Sequence, residues 1–269
     1  MHGETATLFN GRAVGKFVHD SPSRVRLLVV LPMKIIKYLA NLGYGNRREM
    51  TRVVQERRVT RRDGSIVRDG DAFSHDDLLL DGQPLDAAPG ALVMLHKPVG
   101  FVCSTKDAGS RLVYELLPSR FAARTPVIAP IGRLDRDTSG LLLLTDDGQV
   151  NHRLASPRTH LTKLYEVRLA SALRGDERDI FASGTLMLAS ETTPLLPATL
   201  EITGPRSARV TLTEGRYHQV RRMFAAVGNR VDALHRSAVG GLTLGTLPEG
   251  AWRVLGGPDM DALFEGLSS

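Results

Sequence analysis

Hydrophobic residues first recur with a helical period in the segment that begins at Met33. Apolar positions in residues 33–42 fall on one side of a helix, and Gly43 predicts its end. Asn46 followed by Glu49 has the spacing of a capping box, in which each side chain bonds the other residue's backbone amide. The pattern therefore predicts a second helix that begins after Asn46 and ends near Arg57.

An extended segment with a tight turn follows the two helices. Asp63-Gly64 is a typical hairpin turn within this segment, which begins at Val59. Residues 33–82 are thus predicted to form a small α+β domain. Prolines and glycines across residues 83–90 predict a linker. Residues 1–32, which lack a clear period over most of their length, are predicted to be a dispensable extension.

Residues 91–269 mix strand-like and helical segments. Apolar runs at 91–95 and 141–144 predict buried strands, and polar and apolar residues alternate over 163–169 as in a strand with one buried face. Further strands are predicted at 210–212, 234–239 and 242–247, with a helix that ends at Gly228. Because strands and helices do not alternate regularly, we predict an α+β fold with a mixed, largely antiparallel sheet and flanking helices.

The most charged loop of this larger segment directly precedes a buried strand. Residues 131–148 read IGRLDRDTSGLLLLTDDG, so Arg133, Asp135 and Asp137 stand beside an apolar run. A loop of this kind is more often solvated and ion-paired than reactive, and composition alone does not distinguish the two. The apolar strand would nevertheless hold the loop in place, as a reactive carboxylate requires.

Positive charge is concentrated near the start of the patterned region. The 269-residue chain is 42% hydrophobic and carries a formal charge of +6. Residues 33–69 contain ten Lys or Arg against four acidic residues, a surplus that equals the whole net charge. This distribution favours a polyanionic partner such as RNA. The cations that we assign to RNA binding here are Lys34, Lys37, Arg47, Arg48, Arg52, Arg57 and Arg58.

Several function classes lose their usual sequence markers. The single cysteine, Cys103, excludes an intramolecular disulfide, and the histidines lack metal-ligand spacing. No phosphate-binding glycine loop and no serine-hydrolase elbow is present. We therefore expect no metal and no cofactor. The apolar run at residues 27–31 is too short for a signal peptide or a membrane span, so we expect a cytoplasmic protein without a membrane partner.

Segments taken in chain order resemble the signatures of the pseudouridine synthases. GRLD at residues 132–135, followed by TSGLL at 138–142, resembles the catalytic signature of that family. Three further matches are HKPVGFVCST at 96–105, the K-x-Y motif at 163–165, and EGRYHQVRRMF at 214–224. Residues 33–82 resemble the S4-type RNA-binding domain that precedes the catalytic domain in one branch of the family.

The resemblance implies roles for individual side chains. It implies that Asp135 is the essential carboxylate, that Tyr165 lines the uridine pocket, and that Arg221 is the cation beside Asp135. Asp137, equally acidic and two residues further on, is assigned an orienting or structural role. These roles predict that Asp135, Tyr165 and Arg221 come together from three distant segments.

The same resemblance assigns two further residues to RNA. Arg133 would enter the helix that a flipped nucleotide leaves, with its guanidinium stacked on neighbouring bases. Lys97, in the HKP segment, would have a structural role or contact the RNA backbone.

The function implied is isomerisation of uridine to pseudouridine in rRNA, with 16S rRNA as the expected substrate and a monomer as the expected state. A 23S rRNA site is the alternative within the family. A non-catalytic RNA-binding protein of ribosome assembly is an alternative from another class. A glycoside hydrolase is weaker, because such enzymes use a second carboxylate, and the sequence signals no partner for Asp135.

Overall fold

The structure is a computed structural model that describes residues 33–105, 109–156 and 159–265. Before residue 33 it describes only the backbone of two paired strands, β1 (Lys16–His19) and β2 (Val25–Leu28). The expectation of a dispensable extension over residues 1–32 therefore lies outside the described residues. The chain divides into two units: the first runs up to Pro89 and includes Arg120–Val127, and the second contains Gly90–Ser119 and the residues from Ile128 onward.

Two helices and a small sheet make up the first unit. These elements are α1 (Ile35–Asn41), α2 (Arg47–Gln55), β3 (Val59–Arg61), β4 (Leu78–Leu80) and β5 (Gln83–Pro84). The strands pair antiparallel in the order β3-β4-β5, and a 3₁₀ helix, His75–Asp77, precedes β4. One hydrophobic core joins the elements, consisting of Ile35, Tyr38, Leu39, Leu42, Met50, Val53, Val59, Val67, Phe73 and Leu78.

The start of α2 follows the predicted capping box. The Asn46 side chain accepts a hydrogen bond from the Glu49 amide at 3.0 Å, and the Glu49 carboxylate accepts one from the Asn46 amide at 2.8 Å. The predicted linker is wrong at its start, because Gln83–Pro84 pairs with β4 as an edge strand. A proline is compatible with an edge strand, since it needs no ladder donor there.

A segment from the middle of the chain belongs to the first unit. Arg120 makes a bidentate ion pair with Asp86, and the Thr125 amide donates to the Asn41 carbonyl at 2.8 Å. A Cβ on Gly43 would lie 2.2 Å from the Arg120 carbonyl oxygen, so the two backbones touch. The prediction of one continuous unit over residues 91–269 is therefore wrong at residues 120–127, because these contacts are long-range and leave no local pattern.

A nine-stranded sheet of described residues forms the second unit. The strands are β6 (Leu92–Lys97), β9 (Ala129–Ile131), β10 (Thr138–Thr145), β11 (Lys163–Leu169), β12 (Thr199–Gly204), β13 (Ser207–Leu212), β14 (Val231–Val239), β15 (Leu242–Thr243) and β16 (Trp252–Val254). Their order in the sheet is β12-β13-β11-β14-β10-β6-β16, with β15 paired to β14 and β9 paired to β10. Only the β10–β14 pair is parallel among these described strands, which confirms a mixed, largely antiparallel sheet.

Helices cover the core positions of this sheet. The helices are α4 (Gly148–Ala155), α5 (Glu177–Ala182), α6 (Gln219–Ala226) and α7 (Gly257–Phe264). One core cluster joins α5 and α6 to β11, β13 and β14, and another joins α4 and α7 to β6 and β10. The remaining described elements are the short α3 (Ser119–Ala122), a 3₁₀ turn (Val113–Leu116) and the paired strands β7 (Phe101–Val102) and β8 (Arg111–Leu112). Within the described ranges, no helix combines the length and apolar character needed to span a bilayer.

The parallel strand pair depends on a glycine of the TSG segment. Gly140 lies opposite Arg236 in the β10–β14 register and has a φ of +115°. A Cβ at this position would lie 2.2 Å from the Arg236 carbonyl oxygen. Glycine thus permits both the backbone conformation and the close approach of β14. This contact holds the loop before β10 against the middle of the sheet.

Candidate active site

A cavity of about 170 Å³ opens beside the loop that precedes β10. Its walls come from that loop, from the strands β11 and β14, and from the segment between β13 and α6. Among the residues predicted for the site, Arg133, Asp135 and Tyr165 line it. The other polar lining side chains are Thr138, Ser156, Lys163, Thr213, Glu214, Arg216, His218, Gln219 and Arg236.

Asp135 presents its carboxylate at the edge of this cavity. Its side chain is 30% exposed, and its Oδ1 lies 3.3 Å from Nε2 of His218. His218 precedes α6 in a left-handed conformation, with a φ of +48°. Such a conformation is rare for residues other than glycine and concentrates at functional sites. The sequence motifs predicted a different partner for Asp135, although His218 lies in the matched segment at 214–224.

The backbone of the Asp135 loop is held from inside the protein by Lys97. Its side chain is fully buried, and its ammonium group donates to the carbonyl oxygens of Pro98 at 3.1 Å, Asp135 at 3.0 Å and Thr138 at 2.7 Å. Burial lowers the pKa of Lys97, an effect opposed by the thiol of Cys103 and the carboxylate of Asp135. Of the two roles predicted for Lys97, this burial fits the structural one and contradicts RNA binding, because a fully buried amine cannot reach the RNA backbone.

Arg221 contacts Asp137 in place of the predicted partner, Asp135. Its Nη2 lies 2.9 Å from Oδ2 of Asp137 and 3.2 Å from the Asp137 carbonyl oxygen. Its Nη1 donates to the Val231 carbonyl at 3.0 Å, which fixes the guanidinium at the start of β14. The predicted Arg221–Asp135 pair is thus corrected to an Arg221–Asp137 pair, and the group paired with Asp135 is His218.

Tyr165 enters the cavity from the core-facing side of β11. Val167 and Leu169 on the same face are buried, as the alternating pattern predicted, while Tyr165 is half-buried where the strand borders the cavity. It lies opposite Arg236 in the β11–β14 register. The aromatic ring therefore forms part of the cavity wall next to a buried arginine.

A polar network fixes the segment that carries His218. Glu214 accepts hydrogen bonds from the Leu196 amide, the Gln219 side chain and Arg216. Arg216 and Arg222 both bind Glu191, at 3.3 and 2.8 Å. These charge-assisted bonds are stronger than neutral ones and tie the segment to a neighbouring loop.

Comparison with known proteins identifies the family. Residues 91–226, about half of the chain, match the model of the RNA pseudouridylate synthase family. This chain belongs to that family. The matched range contains Asp135, Tyr165, His218 and Arg221.

Relatives of the pseudouridylate synthase family match most of the chain. Ribosomal small subunit pseudouridine synthase A of Escherichia coli K12 is 43% identical over 83% of this chain and 96% of its own. The protein of that name from Vibrio parahaemolyticus is 37% identical over 86% of this chain and 100% of its own. A crystal structure of a pseudouridylate synthase, 36% identical, covers 86% of this chain and 99% of its own with a TM-score of 0.60.

The predicted RNA-binding cations of the first unit lie on its surface. Two of them have carboxylate partners: Lys34 lies 3.6 Å from Asp69, and Arg58 makes a bidentate contact with Asp81 at 2.7 Å. In the part of the chain that the structure describes, the others have no carboxylate within salt-bridge distance; they are Lys37, Arg47, Arg48, Arg52 and Arg57.

The synthase cavity is positively charged. Its cationic side chains are Arg133, Lys163, Arg216 and Arg236, against the two carboxylates of Asp135 and Glu214. No group of three or more His, Cys, Asp or Glu side chains among the described residues is arranged to hold a metal ion. The cavity thus brings together a carboxylate, an aromatic side chain and several cations.

Proposed function

We propose that this protein isomerises uridine to pseudouridine in rRNA of the small ribosomal subunit, the 16S rRNA. The observation that carries the proposal is the partly exposed carboxylate of Asp135 at a cavity that Tyr165 also lines. Family membership supports the reaction, and the relatives named for the small subunit support the substrate. We further propose that the protein acts as a monomer in the cytoplasm.

The reaction needs one carboxylate on the sugar side and a pocket that retains the free base. The C1′–N1 bond breaks, the uracil turns, and C5 then bonds to C1′. Asp135 either attacks C1′ or removes the C2′ proton, and its position at the cavity edge serves both routes. The nucleotide must leave its stack to reach this carboxylate.

Tyr165 and Arg133 would handle the flipped nucleotide and the gap that it leaves. The ring of Tyr165 can stack on uracil, an interaction worth about 1–3 kcal/mol per base. Arg133 is exposed at the mouth of the same cavity, where its planar guanidinium can stack on bases next to the gap. Both side chains line the same cavity as the proposed reacting carboxylate.

The first unit would supply further contacts with the RNA. We propose that residues 33–82 act as an S4-like RNA-binding domain. Two helices and a small sheet with exposed cations support this assignment. Arg221, which holds Asp137, would act through the loop geometry and not as a direct partner of Asp135.

Asp135→Asn, with Asp137→Asn as the matched control, tests the mechanism. Pseudouridine formation should fall below detection in Asp135→Asn, since the amide neither attacks C1′ nor accepts a proton, while RNA affinity stays near wild type. Asp137→Asn should retain most activity, because Asp137 is 68% exposed and bonds Arg221 instead of facing the cavity. Equal activity of Asp135→Asn and wild type would refute the role of this carboxylate.

Mapping pseudouridines in both rRNAs of a deletion strain tests the substrate. The proposal predicts the loss of a 16S site that wild-type protein restores. Loss of a 23S site with an unchanged 16S pattern would support the large-subunit alternative. An unchanged pattern in both rRNAs, together with a ribosome-assembly defect, would support the non-catalytic alternative.

A further inference from the structure

We propose that Lys163, with Arg236 beside it, stabilises the negative charge that collects on uracil when its glycosidic bond breaks. This inference rests on the proposed function, since it assigns a further residue to the same reaction. It gives Lys163 direct contact with the departing base. Asp135 would act on the sugar side of the same bond.

Lys163 is part of the wall of the catalytic cavity. Lys163 and Tyr165 are two residues apart on β11, so both side chains extend from the same face of that strand. Both line the cavity together with Asp135. Arg236 lines it from the adjacent strand, opposite Tyr165. A base that binds beside Tyr165 would therefore lie close to these two cations.

Neither cation has a carboxylate partner among the described residues. Lys163 donates to the Leu161 carbonyl at 2.9 Å, and Arg236, only 4% exposed, donates to the Leu141 carbonyl at 2.8 Å. The other lining carboxylate, Glu214, is engaged by Leu196, Gln219 and Arg216. An unpaired charge in a sheltered site is costly. The pair is therefore suited to a ligand that brings negative charge.

Lys163 acts in this proposal as a cation and not as a proton acceptor. Burial, followed by the charge of Arg236, lowers the pKa of Lys163 to about 8, and Glu214 opposes that effect. A group with this pKa is about 90% protonated at pH 7. The form that predominates at neutral pH can donate hydrogen bonds to an anion.

The electron balance of the reaction shows where the charge arises. When the C1′–N1 bond breaks, its electron pair stays with the base and spreads over N1, O2 and O4. C5 later bonds to C1′, the C5 proton leaves, and N1 gains a proton. Lys163 keeps its own proton throughout and donates a hydrogen bond to the transient anion. A fixed cation in a sheltered cavity stabilises such charge more strongly than water does.

The decisive variants are Lys163→Met, which removes the charge, and Lys163→Arg, which keeps it. With enzyme in saturating excess over 16S rRNA at pH 7, Lys163→Met should lower the single-turnover rate about 10²-fold, the typical loss of one anion-stabilising donor. Its dissociation constant for the RNA should remain unchanged. Lys163→Arg should recover most of the rate.

The pH dependence separates the cationic role from a basic one. Wild-type kcat/KM should fall as pH rises through about 8, because the ammonium form is lost there, whereas Lys163→Arg should show no such fall. The other charged or titratable lining groups remain in both proteins, so the difference between the profiles belongs to Lys163; these groups are Arg133, Asp135, Tyr165, Glu214, Arg216, His218 and Arg236. If Lys163→Met does not fold, the pH profiles of wild type and Lys163→Arg still test the proposal.

Three results would overturn the proposal. A Lys163→Met variant as fast as wild type would exclude a role in the chemical step. Weaker RNA binding with an unchanged saturated rate would identify the anion as a backbone phosphate. A wild-type rate that rises through pH 8 would make Lys163 a proton acceptor. Wild-type activity on 16S rRNA is measured separately, so failure of the proposed function is distinguishable from failure of this inference.

Discussion

Replacing Lys97 with methionine removes the ammonium group that holds the Asp135 loop while keeping a side chain of similar length. The wild-type group is fully buried and donates to three carbonyl oxygens, at 3.1, 3.0 and 2.7 Å. One of these, on Asp135, also accepts from the Thr138 amide at 3.0 Å and so keeps a partner. All three carbonyls therefore lose the donor that Lys97 supplies, and the Asp135 carbonyl keeps the Thr138 amide.

The expected loss of stability is the cost of leaving carbonyls without a donor, less the desolvation energy that is recovered when the buried charge is removed. Each buried carbonyl left without a partner costs about 1–3 kcal/mol, and breaking a buried charged contact typically costs about 3–5 kcal/mol. Removing the ammonium also relieves its desolvation, which the lowered pKa of Lys97 reflects. We expect the free energy of unfolding to fall by about 3 kcal/mol. A loop shift of about 1 Å would also reduce kcat about 10²-fold.

Equilibrium denaturant unfolding measures the free energy of unfolding, and single-turnover pseudouridine formation measures the catalytic rate. Lys34→Met is the control, because the Lys34 side chain is 75% exposed and its ion pair with Asp69 should contribute only about 0–1 kcal/mol. Lys97→Met should lose stability and rate without losing RNA affinity. Unchanged unfolding together with weaker, less salt-dependent RNA binding would refute this reasoning and restore the RNA-binding assignment.

Two further predictions concern the other corrected or proposed contacts. A double-mutant cycle of Arg221→Ala and Asp137→Ala should give a coupling of about 0.5–1 kcal/mol in unfolding free energy, as expected for a partly exposed ion pair at 2.9 Å. Zero coupling would contradict that pair. Alanine at Arg47, Arg48 and Arg52 should weaken RNA binding and lower the slope of log affinity against log salt by about 2–3, because three phosphate contacts are lost. An unchanged slope, measured by salt titration, would remove the first unit from the RNA interface.

Local patterns were sufficient to predict several elements of the fold. The capping box of Asn46 and Glu49 formed as predicted, because both of its bonds join residues three positions apart. The strand over residues 163–169 has the predicted bounds, since alternation along one strand reports which face is buried. The apolar run at 141–144 lies within β10, although the strand begins earlier, at Thr138. The α4 helix after Asp147 was not predicted.

The residues that share the cavity could be predicted only in part. The family motifs identified Arg133, Asp135 and Tyr165, and all three line it. Lys163 was missed, although its place two residues before Tyr165 put it on the same strand face. That signal was present in the sequence, but a lysine at a strand end is usually solvated.

By itself, the sequence determined the elements whose interactions are short-range, and with the family motifs it indicated the reaction. The tertiary structure alone decided which polar and charged groups meet. Asp135 pairs with His218, Arg221 with Asp137, and Lys97 turns inward to the loop backbone. The partners in these contacts are separated by tens of residues, and like-charged candidates stand close together along the chain. Their pairing therefore depends on strand register and burial, which no local pattern of residues encodes.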